Sequence, residues 1–243
     1  MNMDKIEQLQ KMIDESNNIV VFSGAGVSTE SGIKDFRSDD GLYNILKDKY
    51  QYQPEYMLSS AFFYKNTLEF YKFYKETFNC LNVKPNLVHN YFKLLEDKSK
   101  LKAIITQNID GLHTKAGCHN VYEIHGTIYK NYCNLCNHSF TADYVFNSNG
   151  IPRCKCGGIV KPSVVLYGEM LPSKEYNSSL LVINKADMLI VVGTSLTVYP
   201  ACEMINVFHG KYLVIINKDK TQYDNKANLV IHDKLGNVFD KLK

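Results

Sequence analysis

The stretch IVVFSGAG, residues 19–26, joins four apolar residues to a turn that holds two glycines. A short apolar run predicts a buried strand, and the turn after a parallel strand is where α/β proteins bind ligands. Gly24 and Gly26 would let the backbone meet a pyrophosphate with its N–H groups, although a plain turn between strand and helix gives the same pattern. Thr29 replaces the third glycine of the dinucleotide fingerprint, and no acidic residue ends an obvious second strand about 20 residues later. These two departures disfavour an ordinary dehydrogenase.

Further strand-like runs follow, and helical stretches separate most of them. A helix precedes the first strand, and residues 54–98 have helical periodicity. Strands that alternate with helices predict a parallel sheet, and near-continuously apolar runs suit strands covered on both faces. The sequence therefore predicts an α/β fold with a Rossmann-like parallel sheet. Its further strands are expected at 101–106, 121–124, 164–167, 188–192, 212–216 and 229–231.

The composition limits the classes of partner. Hydrophobic residues make up 45% of the 243 residues, and 28 basic against 25 acidic residues leave a formal charge of +3. So balanced a charge does not supply the broad basic surface of a nucleic-acid-binding protein. The first 15 residues lack the apolar core of a signal peptide, and no apolar run reaches transmembrane length. We expect a cytoplasmic protein with neither a nucleic-acid nor a membrane partner.

Four of the seven cysteines lie in a polar stretch, 132–158, that interrupts the alternation of strands and helices. Cys133 and Cys136 form one pair, Cys154 and Cys156 form the other, and 17 residues separate the pairs. This spacing is close to that of a structural zinc site with four thiolate ligands, and the alternative is a set of free thiols. An odd number of cysteines without a secretory signal favours metal ligation and reduced thiols. The stretch is therefore predicted to be a small inserted zinc-binding module.

The glycine turn continues into a loop that carries an acid, an aromatic ring and a cation. Gly24-Ala25-Gly26-Val27-Ser28 is followed by Ser31-Gly32-Ile33 and by Asp35-Phe36-Arg37. Here the sequence resembles the sirtuin family, whose NAD site opens with Gly-Ala-Gly and leads to Gly-Ile-Pro-Asp-Phe-Arg. Lys34 stands where the family usually has proline, which should leave the loop less restricted. The resemblance covers essentially the whole chain through Thr106-Gln107-Asn108-Ile109-Asp110, His125-Gly126, the cysteine module, Tyr167-Gly168-Glu169, Gly193-Thr194-Ser195 and Ile216-Asn217.

The resemblance implies an enzyme that uses NAD+ as a co-substrate. It would transfer the acyl group of an acylated lysine to ADP-ribose, releasing nicotinamide and O-acetyl-ADP-ribose without hydride transfer. By the same resemblance Asn108 and Asp110 hold the nicotinamide carboxamide, and Gln107 orients the nicotinamide ribose. The residues expected to contact NAD+ are Gly24, Ala25, Gly26, Ser28, Asp35, Phe36, Arg37, Gln107, Asn108, Ile109, Asp110, Gly193, Thr194, Ser195, Asn217 and Asp233.

His125 follows the apolar run 121–124 and precedes Gly126, so it should lie at a strand end with little bulk beside it. A lone histidine is more often structural, and the other six histidines are assigned to the surface or the core. His125 is the exception because it matches the family's catalytic histidine. A neutral imidazole with a pKa of about 6.5 suits a base that accepts a proton from the ribose hydroxyls. The resemblance thus implies the catalytic residues His125, Asn108 and Asp110.

The resemblance also implies a tunnel for the acylated lysine of a protein or peptide partner. Its apolar walls would desolvate the aliphatic stem of the lysine. Gly168 and Glu169 are expected to pair with the substrate backbone as an added strand. We expect the protein to be a monomer. The residues expected to contact the substrate are Phe36, Val165, Tyr167, Gly168, Glu169 and Val198.

Two departures from the family's pattern affect these expectations. The second cysteine pair has one intervening residue instead of two, so the knuckle should be tighter, and His138 is the nearest substitute ligand. Desuccinylating sirtuins place a tyrosine and, three residues later, an arginine in a helix where this chain has Tyr71 and Tyr74. A buried succinyl carboxylate needs a fixed cation, which tyrosine does not supply. We therefore expect deacetylation to exceed desuccinylation.

Two other functions remain as alternatives. A protein mono-ADP-ribosyltransferase would use the same NAD site, and a non-catalytic NAD-sensing or zinc-mediated binding module belongs to a different class. Retention of His125 favours deacylation over ADP-ribosyl transfer, and the intact set of Gln107, Asn108, Asp110 and His125 argues against a binding module. We expect one catalytic domain, with a Rossmann-like part at about 1–40, 85–128 and 162–243. A small lobe is expected to combine a helical part at about 41–84 with the zinc module at about 129–161.

Overall fold

The computed structural model describes residues 3–36, 38, 41–46, 49–50 and 52–243. Its helices are α1 Met3–Glu15, α2 Leu42–Leu46, α3 Pro54–Met57, α4 Ser60–Lys65, α5 Thr67–Phe78, α6 Leu87–Asp97, α7 Leu112–Lys115, α8 Ala142–Asn147, α9 Ser173–Lys185 and α10 Leu235–Phe239. Its strands are β1 Ile19–Ser23, β2 Leu101–Thr106, β3 Val121–Glu123, β4 Gly126–Cys133, β5 Ser139–Phe140, β6 Val160–Val164, β7 Met188–Val192, β8 Tyr212–Ile216 and β9 Leu229–Ile231. Short 3₁₀ helices cover Ala25–Ser31, Ala201–Val207 and Asp224–Lys226.

Six strands form one sheet in the order β3-β2-β1-β7-β8-β9, and every neighbouring pair is parallel. The strand order reverses between β1 and β7, and open α/β sheets bind ligands at such a switch point, beyond the carboxyl ends of the strands. The end of β1 is Ser23 and the end of β7 is Val192. The glycine turn therefore lies at the position where the topology favours a ligand.

Helices cover both faces of this sheet because successive side chains of a strand point to opposite faces. Val21 belongs to a core cluster that it shares with α1, α6 and α10. Val20 and Phe22 belong to a second cluster, shared with α9 and the 3₁₀ helix Ala201–Val207. All five residues of β1 are buried, as expected for a strand covered on both faces. The predicted Rossmann-like parallel sheet is confirmed.

A smaller antiparallel sheet of order β5-β4-β6 follows the parallel strands β2 and β3 along the chain. Its residues pack with α3, α4, α5 and α8 in a third core cluster rich in aromatic side chains. Phe62, Phe63, Phe70 and Tyr71 of this cluster are fully buried. None of the helices within the described residues combines the length and the apolar character that crossing a membrane requires.

The predicted strand at 164–167 is wrong. The strand in this region is β6, Val160–Val164, which ends where the prediction begins and pairs antiparallel with β4. Residues 165–167 instead run alongside the segment before α4, because Tyr167 N–H donates to Leu58 O at 2.9 Å and Ser60 N–H donates to Tyr167 O at 3.0 Å. The predicted helical region 54–98 also divides into four helices, with a break at 79–86.

Candidate active site

Two glycine-containing turns meet at the switch point of the sheet. Gly24 N–H donates to Val192 O at 3.0 Å, and Gly26 N–H donates to Gly193 O at 2.8 Å. A Cβ on Gly26 would lie 2.7 Å from Gly193 Cα, and a Cβ on Gly24 would lie 2.7 Å from Gly193 O. Gly193 has a left-handed φ of 57°, which glycine adopts at little cost. These glycines let the two turns pack backbone against backbone, a constraint that exists before any cofactor binds.

A buried amide and a buried carboxyl group face the first turn. Asn108 Nδ2 donates to Gly24 O at 3.1 Å and to Ser28 Oγ at 3.2 Å, and Ser28 Oγ donates to Asp110 Oδ2 at 2.7 Å. Asp110 Oδ1 also accepts from Leu112 N–H at 2.9 Å. Burial raises the pKa of Asp110, and these hydrogen bonds partly offset the effect. The structure thus brings Ser28, Asn108 and Asp110 together beside the glycine turn.

His125 is half-buried just past β3, beside the strand end that carries Gln107. Its Nδ1 lies 3.0 Å from Gln107 O. Because a carbonyl oxygen only accepts, Nδ1 must carry the proton, and Nε2 of the neutral ring is left with a lone pair. Burial lowers the pKa of His125, while the Gln107 carbonyl acts in the opposite direction. The ring is therefore neutral at pH 7, with Nε2 able to accept a proton.

Gln107 connects these groups to the second glycine turn. Its Nε2 donates to Thr194 Oγ1 at 3.0 Å, and its N–H donates to Ser23 O at 3.0 Å. Thr194 follows Gly193 directly. Hydrogen bonds therefore join the ends of β1, β2 and β7 around one point.

The other expected NAD contacts lie around this centre. Ala25 begins the 3₁₀ helix after the turn, and Ile109 O accepts from Ile128 N–H at 3.1 Å. Asp35 Oδ1 accepts from Ser38 N–H at 2.9 Å, within the loop that follows that 3₁₀ helix. The expected contact of Arg37 lies outside the described residues.

Ser195, Asn217 and Asp233 follow β7, β8 and β9 at the same edge of the sheet. Ser195 Oγ lies 2.9 Å from Thr197 Oγ1, and Asn217 Nδ2 donates to Asp219 O at 2.8 Å. Asp233 Oδ1 accepts from Asn237 Nδ2 at 2.8 Å, and this bond is the main cause of a lowered pKa. These three side chains are engaged within their own loops and make no direct hydrogen bond to the central group of described residues.

The expected substrate residues are only partly brought together. Val165 N–H donates to His125 O at 2.9 Å, which places this segment beside the histidine. The Phe36 ring packs edge-on against Tyr43 at 5.9 Å between centroids, and Tyr43 Oη lies 3.5 Å from Tyr167 Oη. Gly168 has a left-handed φ of 89° in the turn that leads to Glu169. Val198 precedes the 3₁₀ helix Ala201–Val207, and its O accepts from Cys202 N–H at 3.0 Å, apart from these contacts.

The four predicted cysteine ligands form one cluster. Their sulfur atoms all lie within 4.8 Å of one another, and the shortest separation, 3.4 Å, joins Cys133 to Cys156. Four sulfurs held tetrahedrally at about 2.3 Å from a zinc ion would be about 3.8 Å apart, so the cluster fits Zn²⁺. Both members of the tight pair, Cys154 and Cys156, take part, and His138 is not in the cluster. The His138 ring instead packs edge-on against Phe140.

The tyrosine pair of α5 lies in the aromatic core. Tyr71 Oη donates to Val160 O. The Tyr74 ring stacks between Phe70 and Phe146, each at 5.5 Å between centroids, and its buried hydroxyl has no hydrogen-bond partner among the described residues. Lys72 is exposed to solvent. The neighbouring Lys75 is held by the carbonyl oxygens of Ser148 and Gly150 at 2.6 and 2.8 Å.

Two buried side chains near the expected substrate and cofactor residues were not predicted from the sequence. Lys161 is 4% exposed and forms an ion pair with Glu169 at 3.1 Å. His113 is 2% exposed, and its Nε2 lies 3.0 Å from Ser23 Oγ at the base of the glycine turn. The sequence contains no local signal for either contact, because the partners are 8 and 90 residues apart.

Comparison with known proteins identifies the family to which the chain belongs. The model of the Sir2 family matches residues 24–200. An NAD-dependent protein deacetylase of Clostridium acetobutylicum is 52% identical over 98% of this chain and 98% of its own length. One from Staphylococcus epidermidis is 45% identical over 100% and 98%.

Solved structures agree with these relatives. A Sir2 protein in complex with a p53 peptide and NAD+ has a TM-score of 0.87 and 36% identity, covering 99% of this chain and 97% of that chain. A Sir2 protein bound to a propionylated peptide has a TM-score of 0.85 and 35% identity, covering 98% and 96%. The parallel sheet, its paired glycine turns and the thiolate cluster define a Rossmann-like nucleotide-binding protein with a metal-binding insert. The similarity to these relatives over nearly the full length is more specific than that class. Because of this similarity, the chain belongs to the Sir2 family.

Proposed function

We propose that this protein is an NAD-dependent protein lysine deacetylase that releases nicotinamide and O-acetyl-ADP-ribose. The observation that carries the proposal is the neutral His125, with Nε2 available as a base, joined through Gln107 to the paired glycine turns. Relatives that are about half identical to this chain are NAD-dependent protein deacetylases. Solved Sir2 structures hold NAD+, an acetylated peptide or an O-acetyl ADP-ribose.

NAD+ supplies the ADP-ribosyl group that receives the acyl group. The backbone N–H groups of the turn Gly24, Ala25 and Gly26 would meet the pyrophosphate, where they favour negative charge. Asn108 and Asp110 would hold the nicotinamide carboxamide, since an amide offers a donor and an acceptor and a carboxylate offers acceptors. Their hydrogen bonds to the turn fix them beside it. The remaining contacts proposed for the cofactor are Ser28, Asp35, Phe36, Arg37, Gln107, Ile109, Gly193, Thr194, Ser195, Asn217 and Asp233.

His125 would accept a proton from a ribose hydroxyl through Nε2. Gln107 O fixes the tautomer that this role needs, because it holds the proton on Nδ1. Since burial lowers the pKa of His125, the base stays neutral at pH values below the ordinary histidine range. Activity should therefore persist at about pH 6.5, the ordinary histidine pKa, and fall only at lower pH, where His125 takes up a proton.

The acylated-lysine peptide would bind along the segment after β6. The ring of Phe36, in edge-on contact with Tyr43, and Tyr167, whose hydroxyl lies 3.5 Å from that of Tyr43, would form one wall with Val165, and Val198 would close the opposite side. Gly168 and Glu169 would pair with the peptide backbone as an added strand. Deacetylation should exceed desuccinylation, because Tyr74 is packed in the core and Lys75 is bound to carbonyl groups.

The zinc ion would be structural, since four protein thiolates leave no open coordination position. It would hold β4, the loop at Cys154 and the start of β6 together in the small lobe. We also propose the division of the chain into a Rossmann-like part and this lobe, which the three core clusters support. None of the seven cysteines, all within the described residues, forms a disulfide, in keeping with the proposed cytoplasmic location. The proposed solution state is a monomer.

The test is to incubate the protein with NAD+ and an acetylated peptide and to identify both products by mass spectrometry. Free-lysine peptide, nicotinamide and O-acetyl-ADP-ribose in equal amounts are expected. ADP-ribose attached to a protein acceptor, with no acyl-ADP-ribose, would instead identify a mono-ADP-ribosyltransferase. No release of nicotinamide would exclude catalysis.

The role of His125 has its own test. We expect His125→Ala to lower turnover by at least about a hundredfold, the size usual for the loss of a general base. His119→Ala is a matched control, because the His119 side chain is 81% exposed and contacts Glu96 on the surface. A folded His125→Ala protein with near-normal turnover would contradict the assignment.

A further inference from the structure

A buried lysine lies between the cysteine cluster and the segment proposed to bind the peptide. Lys161 is the second residue of β6, where it is paired in register with Tyr132 of β4, next to the pair Val160 and Cys133. Its side chain is only 5% exposed, the lowest value for a cation in any ion pair of the described residues. A buried ammonium group requires a charged partner or several hydrogen bonds. The contacts of Lys161 therefore show what it stabilises.

The charged contact of Lys161 reaches the segment that follows β6, and its other contacts lie in β6 and α4. Lys161 Nζ lies 3.1 Å from Glu169 Oε2 and donates more weakly to Val164 O at 3.4 Å and Pro162 O at 3.5 Å. It also lies 5.9 Å from the ring centroid of the fully buried Phe63. Glu169 is its one carboxylate partner among the described residues.

Glu169 uses the same oxygen to close a tight turn. Oε2 of Glu169 accepts from Leu166 N–H at 2.9 Å, and Glu169 N–H donates to Leu166 O at 2.9 Å. Gly168, inside this turn, has a left-handed φ of 89°. The residue after the turn, Met170, is 90% exposed. The turn thus projects toward solvent and is tied at its base by the ion pair.

The backbone anchor on the other side reaches only as far as Tyr167. Tyr167 pairs with Leu58 and Ser60, and Gly168 and Glu169 have no hydrogen bond to that segment among the described residues. Apart from the backbone bond between Glu169 and Leu166, the end of the turn beyond Tyr167 is therefore held by the side chain of Glu169. That side chain depends in turn on Lys161.

We propose that Lys161 is a positioning residue for the peptide substrate: through Glu169 it holds the turn Leu166–Glu169 in the form that pairs with the peptide backbone. This inference rests on the proposed function, because it assumes that the turn binds peptide. A turn that is ordered before binding spares the peptide the entropy cost of ordering it. Loss of the ion pair should therefore weaken peptide binding and leave the NAD site, at the ends of β1, β2 and β7, unchanged.

The experiment compares Lys161→Met with the wild-type protein in steady-state deacetylation. Methionine keeps the length of the side chain and removes its charge. We expect the KM for an acetylated peptide to rise about tenfold or more, with the KM for NAD+ and kcat each within about twofold. Lys161→Arg should keep the peptide KM close to the wild-type value, because arginine keeps the positive charge. Lys130→Met, at an exposed position of β4, is the matched control and should change neither KM.

A second measurement does not depend on activity. The Leu166 amide hydrogen is bound to Glu169, so its exchange with solvent should be at least about tenfold faster in Lys161→Met, while amides of β1 keep their protection. Glu169→Ala, which removes the acceptor of Leu166 N–H together with the charge, should give the same change in exchange and in peptide KM. An unchanged peptide KM, or an equal rise in both KM values, would overturn the inference while leaving the deacetylase function in place. A wild-type protein that does not deacetylate peptides would instead refute the proposed function.

Discussion

A pair of buried histidines should make the protein sensitive to acid. His89 is 0% exposed and His113 is 2% exposed, and their ring centroids are 4.8 Å apart. One nitrogen of each ring, His89 Nε2 and His113 Nδ1, has no hydrogen-bond partner among the described residues. No carboxylate in the described part of the chain pairs with either ring. A proton on one ring would thus place an uncompensated charge in the core beside the other ring.

The size of the effect follows from the pKa values. Burial lowers the pKa of His89 from 6.5 to about 4, and burial together with the neighbouring His89 lowers the pKa of His113 well below 6.5. Below pH 6.5 the unfolded chain takes up protons that the folded protein excludes, so the free energy of unfolding falls as the pH falls. At pH 5 His89 alone accounts for a loss of about 2 kcal/mol, and His113 adds to the loss in the same direction. This is a large part of the usual stability of about 5–15 kcal/mol.

The assay is urea unfolding at pH 7, 6 and 5 for the wild-type protein and for the double variant His89→Gln with His113→Gln. The variant should be less stable at pH 7, because two packed rings are lost. It should nevertheless lose at least about 2 kcal/mol less than the wild-type protein between pH 7 and pH 5. The acid sensitivity of the thiolate cluster is common to both proteins, and His119→Gln is the control for the loss of an exposed histidine. Equal losses within about 1 kcal/mol would show that the two rings titrate normally in the folded protein.

Three further predictions follow from the other parts of the site. The purified protein should hold one zinc ion per chain by metal analysis, and by calorimetry Cys156→Ser should lower its Tm as strong chelation does. His138→Ala should leave the Tm unchanged, because His138 is outside the thiolate cluster. If the two variants behaved alike, the assigned ligand set would be wrong. Gly26→Ala should raise the KM for NAD+ and destabilise the protein by about 1–3 kcal/mol, because the new Cβ would meet the backbone of Gly193; an alanine variant with wild-type kinetics would mean that the turns separate freely. An acetylated peptide should exceed its succinylated twin by at least about tenfold in kcat/KM, equivalent to about 1.4 kcal/mol; equal rates would reveal a cation near Tyr74 that the described contacts do not show.

The parallel sheet could be predicted from the sequence because its strands carry their own signal. The runs ending at Ser23, Thr106 and Val192 are almost wholly apolar, as strands covered on both faces must be. The carboxyl ends of parallel strands meet at one edge, which predicts that polar residues just past those runs lie close together there. The contacts of Asn108 with Gly24, and of Gln107 with Thr194, agree with that expectation.

The small sheet was harder to predict because its strand β6 does not look like one. The sequence of β6 is VKPSV, in which Lys161 and Pro162 oppose the pattern of a buried strand. The apolar residues that follow resembled a strand more closely, and the prediction therefore fell on 164–167. Lys161 is tolerated because Glu169 supplies a charge from eight residues further along the chain. Local patterns do not contain such a pairing.

The glycines of the first turn show how a motif can be placed correctly and explained only in part. The sequence predicts that Gly24 and Gly26 allow a close approach by a pyrophosphate. In the structure a Cβ at either position would already meet the backbone of Gly193, without any ligand. The turn is therefore held in place by its neighbour, and the amide of Asn108 fixes it from the other side. Because the two glycine turns and Asn108 position one another, the effects of substitutions among them on stability and on the KM for NAD+ should not be additive. A change at Gly193 should therefore affect the cofactor turn as strongly as a change within that turn.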